Sequence, residues 1–265
     1  MPNNVPYILT RRNLNPSARL LAKSLGLQKS YEPRRYAPVI RWGNSDEVFN
    51  EDTLWNMPEI IHICGNKLLF SNTMRNLGIP HVEILHGFPE RFPVVIRHSL
   101  SGMRGQGIEI ISSRDDADKL PYDIEGLSPH YNVHWSYWRD FSFELGVHIF
   151  NGEPVRTFKK VFRLEEADED SDLDYVESEP EFPIRNSQKG YGFRLVEISK
   201  YPKLIPLVKT FCDKFGLKFG RLDIGWNHGE KKYEIIEANS APGLAENENT
   251  ARIYIEGFKR LLGKE

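Results

Sequence analysis

Phe219-Gly-Arg-Leu-Asp-Ile-Gly-Trp226, followed by Tyr233-Glu-Ile-Ile-Glu-Ala-Asn-Ser-Ala-Pro-Gly-Leu244, is the stretch on which the reading of this chain turns. Both halves are β-forming runs, and Asn227-His-Gly-Glu-Lys-Lys232 between them has the composition of a turn. Residues two apart on a strand share a face. Arg221 therefore projects with Asp223, and Glu237 with Asn239. If the two faces coincide, one patch carries a cation, two carboxylates and an amide. Such hard oxygen donors suit Mg²⁺ held together with substrate phosphates. The plainer alternative is the solvated face of an antiparallel hairpin. Pro242-Gly243 turns the chain just past Asn239.

Arg-x-Asp followed by Glu-x-Asn-x-x-Pro-Gly-Leu resembles the metal-binding end of the ATP-grasp superfamily. Its members include D-alanine–D-alanine ligases and the ligases that add glutamate to a ribosomal protein. The chain is also similar to uncharacterised ATP-grasp proteins of bacteria and phages. The resemblance covers about residues 60 to 262. It implies an α/β chain: a small parallel-sheet domain over 1–62, then two α+β lobes that clamp ATP. The smaller lobe, 63–134, would hold a Gly-rich phosphate loop, and the larger, 135–265, the metal site.

The nucleotide half of such a site is sought upstream. Asn66-Lys67 opens a helical pattern that ends at Gly78-Ile-Pro80, before a strand at Val82-Glu-Ile-Leu85. Lys67 matches the helix-start lysine that reaches nucleotide phosphates in the family. Phe92-Pro-Val-Val-Ile-Arg97 and Ile108-Glu-Ile-Ile111 flank a loop with Gly102, Arg104, Gly105 and Gly107. Alone it reads as a hairpin with a glycine-rich turn, and it fits neither a P-loop nor a Rossmann pattern. By resemblance it is the phosphate lid, with Arg97 where the family usually has lysine. The charge is kept, but a planar fork replaces a compact ammonium. Tyr131 to His134 stands where the family places its adenine-side hinge, a packed aromatic cluster being the alternative.

Asn151-Gly152 between two alternating runs is a strong hairpin signal. Glu144 on its first strand matches the acid expected near the ribose hydroxyls. Gly146 replaces the arginine often found two places on. Of Lys159 and Lys160, alternation lets only one face the site, and Lys160 is favoured. Arg185-Asn186 with Gly190 resembles the segment whose Arg and Asn face the acyl phosphate and metal in the ribosomal-protein ligases.

Towards the N-terminus, Tyr7-Ile-Leu9, a helix opened by Asn15-Pro16 and stopped at Gly26, and Val39-Ile-Arg-Trp42 suggest a parallel sheet. Glu59-Ile-Ile-His-Ile-Cys64 is a third apolar run in that series. Arg11, Arg12 and Arg41 fall near strand ends, where open sheets place ligands, although surface positions are the plainer expectation. Asp115 to Leu120 reads as a short helix, Leu204 to Phe215 as an amphipathic one ended by Gly216, and Ala251 to Leu262 as a closing one.

Composition sets bounds on function. The chain has 265 residues, 40% apolar and 27% charged, which suits an ordinary globular protein. No run approaches the roughly 20 apolar residues of a membrane span, and Met1 to Pro6 shows no signal-peptide pattern. Cys64 and Cys212 sit in apolar contexts and read as buried free thiols, consistent with the cytoplasm. His62, His81, His86 and His98 show no zinc spacing. Glu165 to Glu181 holds ten acids and no Lys or Arg; without it the net charge of −2 becomes +8 for the remaining body. That stretch reads as a solvated loop. The basic residues are dispersed, so nucleic acid is not an expected partner.

The resemblance implies an ATP- and Mg²⁺-dependent (or Mn²⁺-dependent) ligase that joins a carboxylate to an amine through an acyl phosphate. Amino acids, peptides or protein termini are the substrate classes. Asp223, Glu237 and Asn239 would hold the metal, and Lys67, Arg97, the glycine loop, Glu144 and Lys160 the nucleotide. Arg221 and Arg185 would face the transferring phosphate. A phosphotransferase, or a degenerate nucleotide-binding module, are the alternatives.

Overall fold

The computed structural model describes residues 5–11, 15–34, 37–46, 53–85, 87–97, 108–120, 134–163, 175–176, 184–185, 189–245 and 247–264. Among these residues it is built on three sheets. The first contains β1 (Tyr7–Thr10), β2 (Gln28–Ser30), β3 (Val39–Trp42) and β4 (Thr53–Trp55), all parallel, in the order β2-β1-β3-β4. The second is antiparallel: β6 (Ile108–Ile111), β5 (Val94–Arg97) and β7 (His134–Tyr137), with β5 in the middle. The third is a larger antiparallel sheet. It joins β8 (Phe141–Phe150), β9 (Glu153–Arg163), β10 (Tyr175–Val176), β11 (Tyr191–Val196), β12 (Phe219–Asn227) and β13 (Lys232–Asn239). Its order is β10-β9-β8-β12-β13, with β11 also on β9. This mixture is the α/β architecture expected from the sequence. Pairing of β7 with β5 carries the small sheet to Tyr137, and the chain enters the large sheet at Phe141.

Local signals explain the elements. Helix α1 (Pro16–Leu25) is capped by Asn15, whose side chain accepts from Ala18 N at 3.0 Å, and is closed by Gly26 at φ +61°. Helix α3 (Lys67–Asn76) starts on an Asn66 cap, which makes Lys67 its first residue. Helix α5 (Leu204–Phe215) carries Pro206 in its first turn and ends on left-handed Gly216. Asn151 and Gly152, both at positive φ, turn β8 into β9.

Three expectations change. The apolar run at Glu59 to Cys64 is not a further strand but helix α2 (Pro58–Gly65). Pro58 sits in its first turn, and Ile60, Ile61, Ile63 and Cys64 are wholly or partly buried around it. A short apolar run has no period long enough to separate strand from helix. Arg41 is not on the surface. It is fully buried on the small parallel sheet, and its Nη1 donates to Asp46 O at 2.6 Å. Burial pulls its pKa down, against the opposing influence of Tyr7 and Asp46. Arg11 is exposed, and Arg12 lies outside the described residues. Val82 to Leu85 forms no strand of its own; His81 bridges Ile235 and Leu85 bridges Trp135.

One face of the large sheet is apolar. Leu145, Val147, Leu222, Ile224 and Ile235 pack on Phe70 and Met74 of α3 and on Val208, Phe211 and Phe215 of α5. At the far end of the sheet, α6 (Glu248–Leu261) joins the parallel sheet to it. Trp42 stacks on Phe219 at 5.4 Å, and Phe150 meets Phe258 edge-on at 4.9 Å. Among the described residues no helix is long and apolar enough to cross a membrane.

Gly257 in α6 lies directly against the Phe150 ring: a Cβ there would stand 2.4 Å from Phe150 Cε1. A mid-helix Gly→Ala change ordinarily stabilises by up to ~1 kcal/mol. Here overpacking outweighs propensity, so Gly257→Ala is expected to destabilise by about 1–3 kcal/mol. Urea denaturation of the two proteins measures the sign.

Candidate functional site

Pairing of β12 with β13 brings the motif residues together. Arg221 stands opposite Asn239 and Asp223 opposite Glu237, so the two faces coincide. A β-bulge makes this possible. Ile224 pairs with Ile235 and Asp223 with Glu237, which leaves Ile236 as the extra residue. Strict alternation would put Ile235 and Glu237 on one face. With the bulge, Ile235 enters the core while Glu237 turns to the other side. On β8, Gly146 lies opposite Asp223 and His148 opposite Arg221, with Glu144 two residues before Gly146. The polar face thus spans three strands.

Ion pairs bind this face into one cluster. Arg221 Nε lies 2.9 Å from Asp223 Oδ1, and its Nη2 donates to Oδ2 at 3.2 Å. Lys160 Nζ donates to Glu144 Oε2 at 2.7 Å and sits 3.6 Å from Asp223 Oδ2. Lys160 is therefore the inward lysine, while Lys159 extends over the Phe143 ring. Arg185 is buried; it donates to Phe141 O at 2.6 Å and lies 3.7 Å from Glu144 Oε1. From α3, Lys67 Nζ reaches Glu237 Oε2 at 2.5 Å. Arg97 on β5 lines a cavity together with Lys67 and Glu237.

The electrostatics follow from this crowding. Burial opposes charge on Lys160 and on Arg221, yet the neighbouring carboxylates, Glu144 and Asp223 for the lysine and Asp223 and Glu237 for the arginine, hold both above their ordinary values. Burial would raise Glu237, but Lys67, Lys160 and Arg97 together pull it below the usual carboxylate range. Arg97 is shifted down by burial against the attraction of Glu237 and Glu144. For Lys160, Arg221 and Glu237 the oppositely charged neighbours thus favour the charged form over burial.

Asn239 is exposed, and its Oδ1 accepts from Ala241 N at 2.9 Å. That oxygen keeps a second lone pair. Asp223, Glu237 and Asn239 form an all-oxygen donor set of the kind that holds Mg²⁺ beside phosphates. Among the described residues there is no group of three or more His, Cys, Asp or Glu in metal-binding array. Gly102, Arg104, Gly105 and Gly107 lie outside the described residues, as do Tyr131 to Val133, Asn186 and nearly all of the acidic stretch.

Residues missed from sequence complete the site. A cavity of about 30 Å³ lies between the small sheet and β13, lined by Lys67, Arg97, Ser136, Ile236 and Glu237. Cys64 also lines it and is only partly buried; Cys212 is buried as expected, and burial raises both thiols. Phe193 on β11 lies under the Arg221 guanidinium, 5.2 Å from ring to charge. A Cβ on Gly146 would be 3.5 Å from Arg221 and 3.7 Å from Phe193, so Arg221 and Phe193 flank this position. Phe193 and Leu195 alternate as a strand would have them, but nothing local in the sequence ties this segment to Arg221.

His148 is buried, and its Nδ1 lies 3.3 Å from the hydroxyl of Tyr254, which donates to Gly220 O at 2.8 Å. Burial, then Arg221 and Arg156, push its pKa down to about 3. An unfolded histidine titrates near 6.5. Between those values the unfolded chain takes up a proton that the folded chain refuses, so stability falls as pH falls. Its slope approaches ~1.4 kcal/mol per pH unit for this group. Relative to His148→Gln, the wild type is expected to lose stability faster between pH 6.5 and 4. Urea denaturation of both proteins across that range checks it.

No protein-family model matches the chain, and no curated protein sequence does. Solved structures match over nearly its whole length. The D-alanine–D-alanine ligase of Bacillus anthracis superposes with a TM-score of 0.63 at 13% identity, over 98% of this chain and 96% of that one. A RimK domain ATP-grasp protein of Sphaerobacter thermophilus gives 0.60 at 11% identity, over 96% and 98%. The ATP-grasp ligase PsnB with a minimal precursor gives 0.61 at 13% identity, over 100% and 99%. The Bacillus anthracis ligase has also been solved with ATP, and PsnB with Mg and ADP. At such identities the likeness is one of fold.

Proposed function

Given that the chain has the ATP-grasp fold, we propose that it is an ATP- and Mg²⁺-dependent ligase joining a carboxylate to an amine. The observation that carries this reading is the in-register placement of Asp223 against Glu237, ringed by Lys67, Arg97, Lys160 and Arg221. Transfer of a γ-phosphoryl group gathers negative charge on its oxygens, and fixed cations beside a metal site offset it.

In this reading Lys67 and Arg97 hold the ATP phosphates, with the glycine loop over them. Asp223, Glu237 and Asn239 hold Mg²⁺, which offsets phosphate charge. Glu144, kept in place by Lys160 and Arg185, accepts from the ribose hydroxyls. Arg221, held by Asp223 and supported by Phe193, faces the transferring phosphate, with Arg185 behind Glu144. A substrate carboxylate oxygen attacks the γ-phosphorus and ADP leaves, giving an acyl phosphate. The amine then attacks the acyl carbon; it loses a proton, phosphate leaves, and Arg221 stabilises the oxyanion in between. No nucleophilic side chain is required.

Calorimetry with a non-hydrolysable ATP analogue and Mg²⁺ tests the assignment. Changes next to metal ligands cost about 10–100-fold in affinity, so Glu237→Gln is expected to weaken metal-dependent binding at least as much. Arg221→Met is expected to lower the rate of ADP release by about 10²–10³-fold, scored with pools of amino acids and peptides. Wild-type protein that binds no nucleotide removes the enzyme reading in favour of a degenerate module. A phosphorylated compound as end product, in place of an amide, makes the chain a phosphotransferase.

A further inference from the structure

Lys67 and Glu237 are 170 positions apart in sequence, and their charged atoms are 2.5 Å apart. On the reading above, one serves ATP phosphates and the other serves the metal. The lysine thus occupies a lone pair that a metal ion needs, and the glutamate holds a cation that a phosphate needs. The pair is wet enough for ions to reach, with side chains 20% and 39% exposed. We propose that Lys67 acts as an internal competitor for the metal site, so that nucleotide and divalent cation each bind better once the other has drawn this pair apart.

The fold makes this a side-chain exchange and not a by-product of lobe movement. Both residues belong to one packed unit: Phe70 and Met74 of α3 share a core with Ile235 and Ala238 of β13. The segment after α3 is stitched to β13 as well, through Val82 N to Ile235 O at 2.9 Å and Ile235 N to Pro80 O at 3.0 Å. Opening or closing the small sheet over the large one therefore leaves the Lys67–Glu237 distance unchanged. What separates the pair is competing charge. A phosphate pulls the ammonium along the cavity towards Arg97, which lines the same space, and frees Glu237. A divalent cation on Glu237 repels the ammonium and frees Lys67 for phosphate. Linkage requires the two effects to be equal in size.

Arg97 provides the control. It too acts on Glu237 by charge, but no hydrogen bond joins the two among the described residues. If only general positive charge resists the metal, removing either cation has a similar effect. If Lys67 competes for the ligand atom, removing it has the larger one. A partly exposed ion pair is worth up to ~1 kcal/mol, which corresponds to about fivefold in affinity.

The test is Mn²⁺ binding to the whole protein without nucleotide, followed by electron paramagnetic resonance. Wild type, Lys67→Met, Lys67→Gln, Arg97→Met and Glu237→Gln are compared. Both Lys67 variants are expected to bind Mn²⁺ about fivefold more tightly than wild type, and more tightly than Arg97→Met. With a non-hydrolysable ATP analogue present, their gain in Mn²⁺ affinity over the nucleotide-free value is expected to be smaller than that of wild type. Unchanged or weaker Mn²⁺ binding in the Lys67 variants overturns the inference, as does an equal gain in Arg97→Met. Glu237→Gln separates this from the functional reading: if it still binds Mn²⁺ as wild type does, the metal assignment itself is wrong.

Discussion

In the ladder between β12 and β13, Ile236 is one residue too many. Backbone hydrogen bonding continues past it only because the strand bulges, and the bulge exchanges the faces of the residues on either side. Ile235 is thereby fully buried against α3 and α5, while Glu237 stands opposite Asp223 on the polar side. The core and the site are thus built by the same strand with no compromise between them. One apolar face anchors the helices, and the helix it anchors first, α3, presents Lys67 to Glu237.

The polar face is a dense set of charges that satisfy one another. Three carboxylates, Glu144, Asp223 and Glu237, are met by Lys67, Lys160, Arg185 and Arg221, with Arg97 acting at longer range. Isolated charges at this depth would neutralise by shifting their pKa. Here Lys160, Arg221 and Glu237 keep the charged form favoured, because oppositely charged neighbours on the same strand, on adjacent strands or on α3 offset their burial. On the proposed function, phosphate and metal would exchange partners with groups already charged and oriented. Stability is not its main consequence: ion pairs of this kind contribute little net free energy to folding.

Gly146 and Arg97, the two departures from the pattern that the sequence resembles, look different in three dimensions. The missing side chain at Gly146 coincides with the space flanked by Arg221 and Phe193, so Arg221 can lie against an aromatic face there. Arg97 retains its charge next to Glu237 and Glu144 and lines the cleft in which Lys67 sits. Arg97 keeps a cation in the cleft with a different shape, whereas Gly146 leaves out the expected arginine and gives its space to Arg221 and Phe193.

Much of this was legible in the chain because it is local. The Asn15 and Asn66 caps, Gly26 and Gly216, the Asn151-Gly152 turn and the alternation that lets only one of Lys159 and Lys160 face inward are decided within a few residues. The Arg221-Asp223 and Glu237-Asn239 spacing made their pairwise orientation predictable. The sequence could not say that Glu59 to Cys64 would coil as a helix, that Arg41 would be buried, or that Ile236 would bulge. Each depends on what packs against it, and a short apolar run or a single strand is compatible with more than one such partner. The Lys67–Glu237 pair and the Phe193–Arg221 stack belong to the same class. They arise from strand order and helix docking, which bring together residues whose own neighbours in sequence carry no information about the meeting.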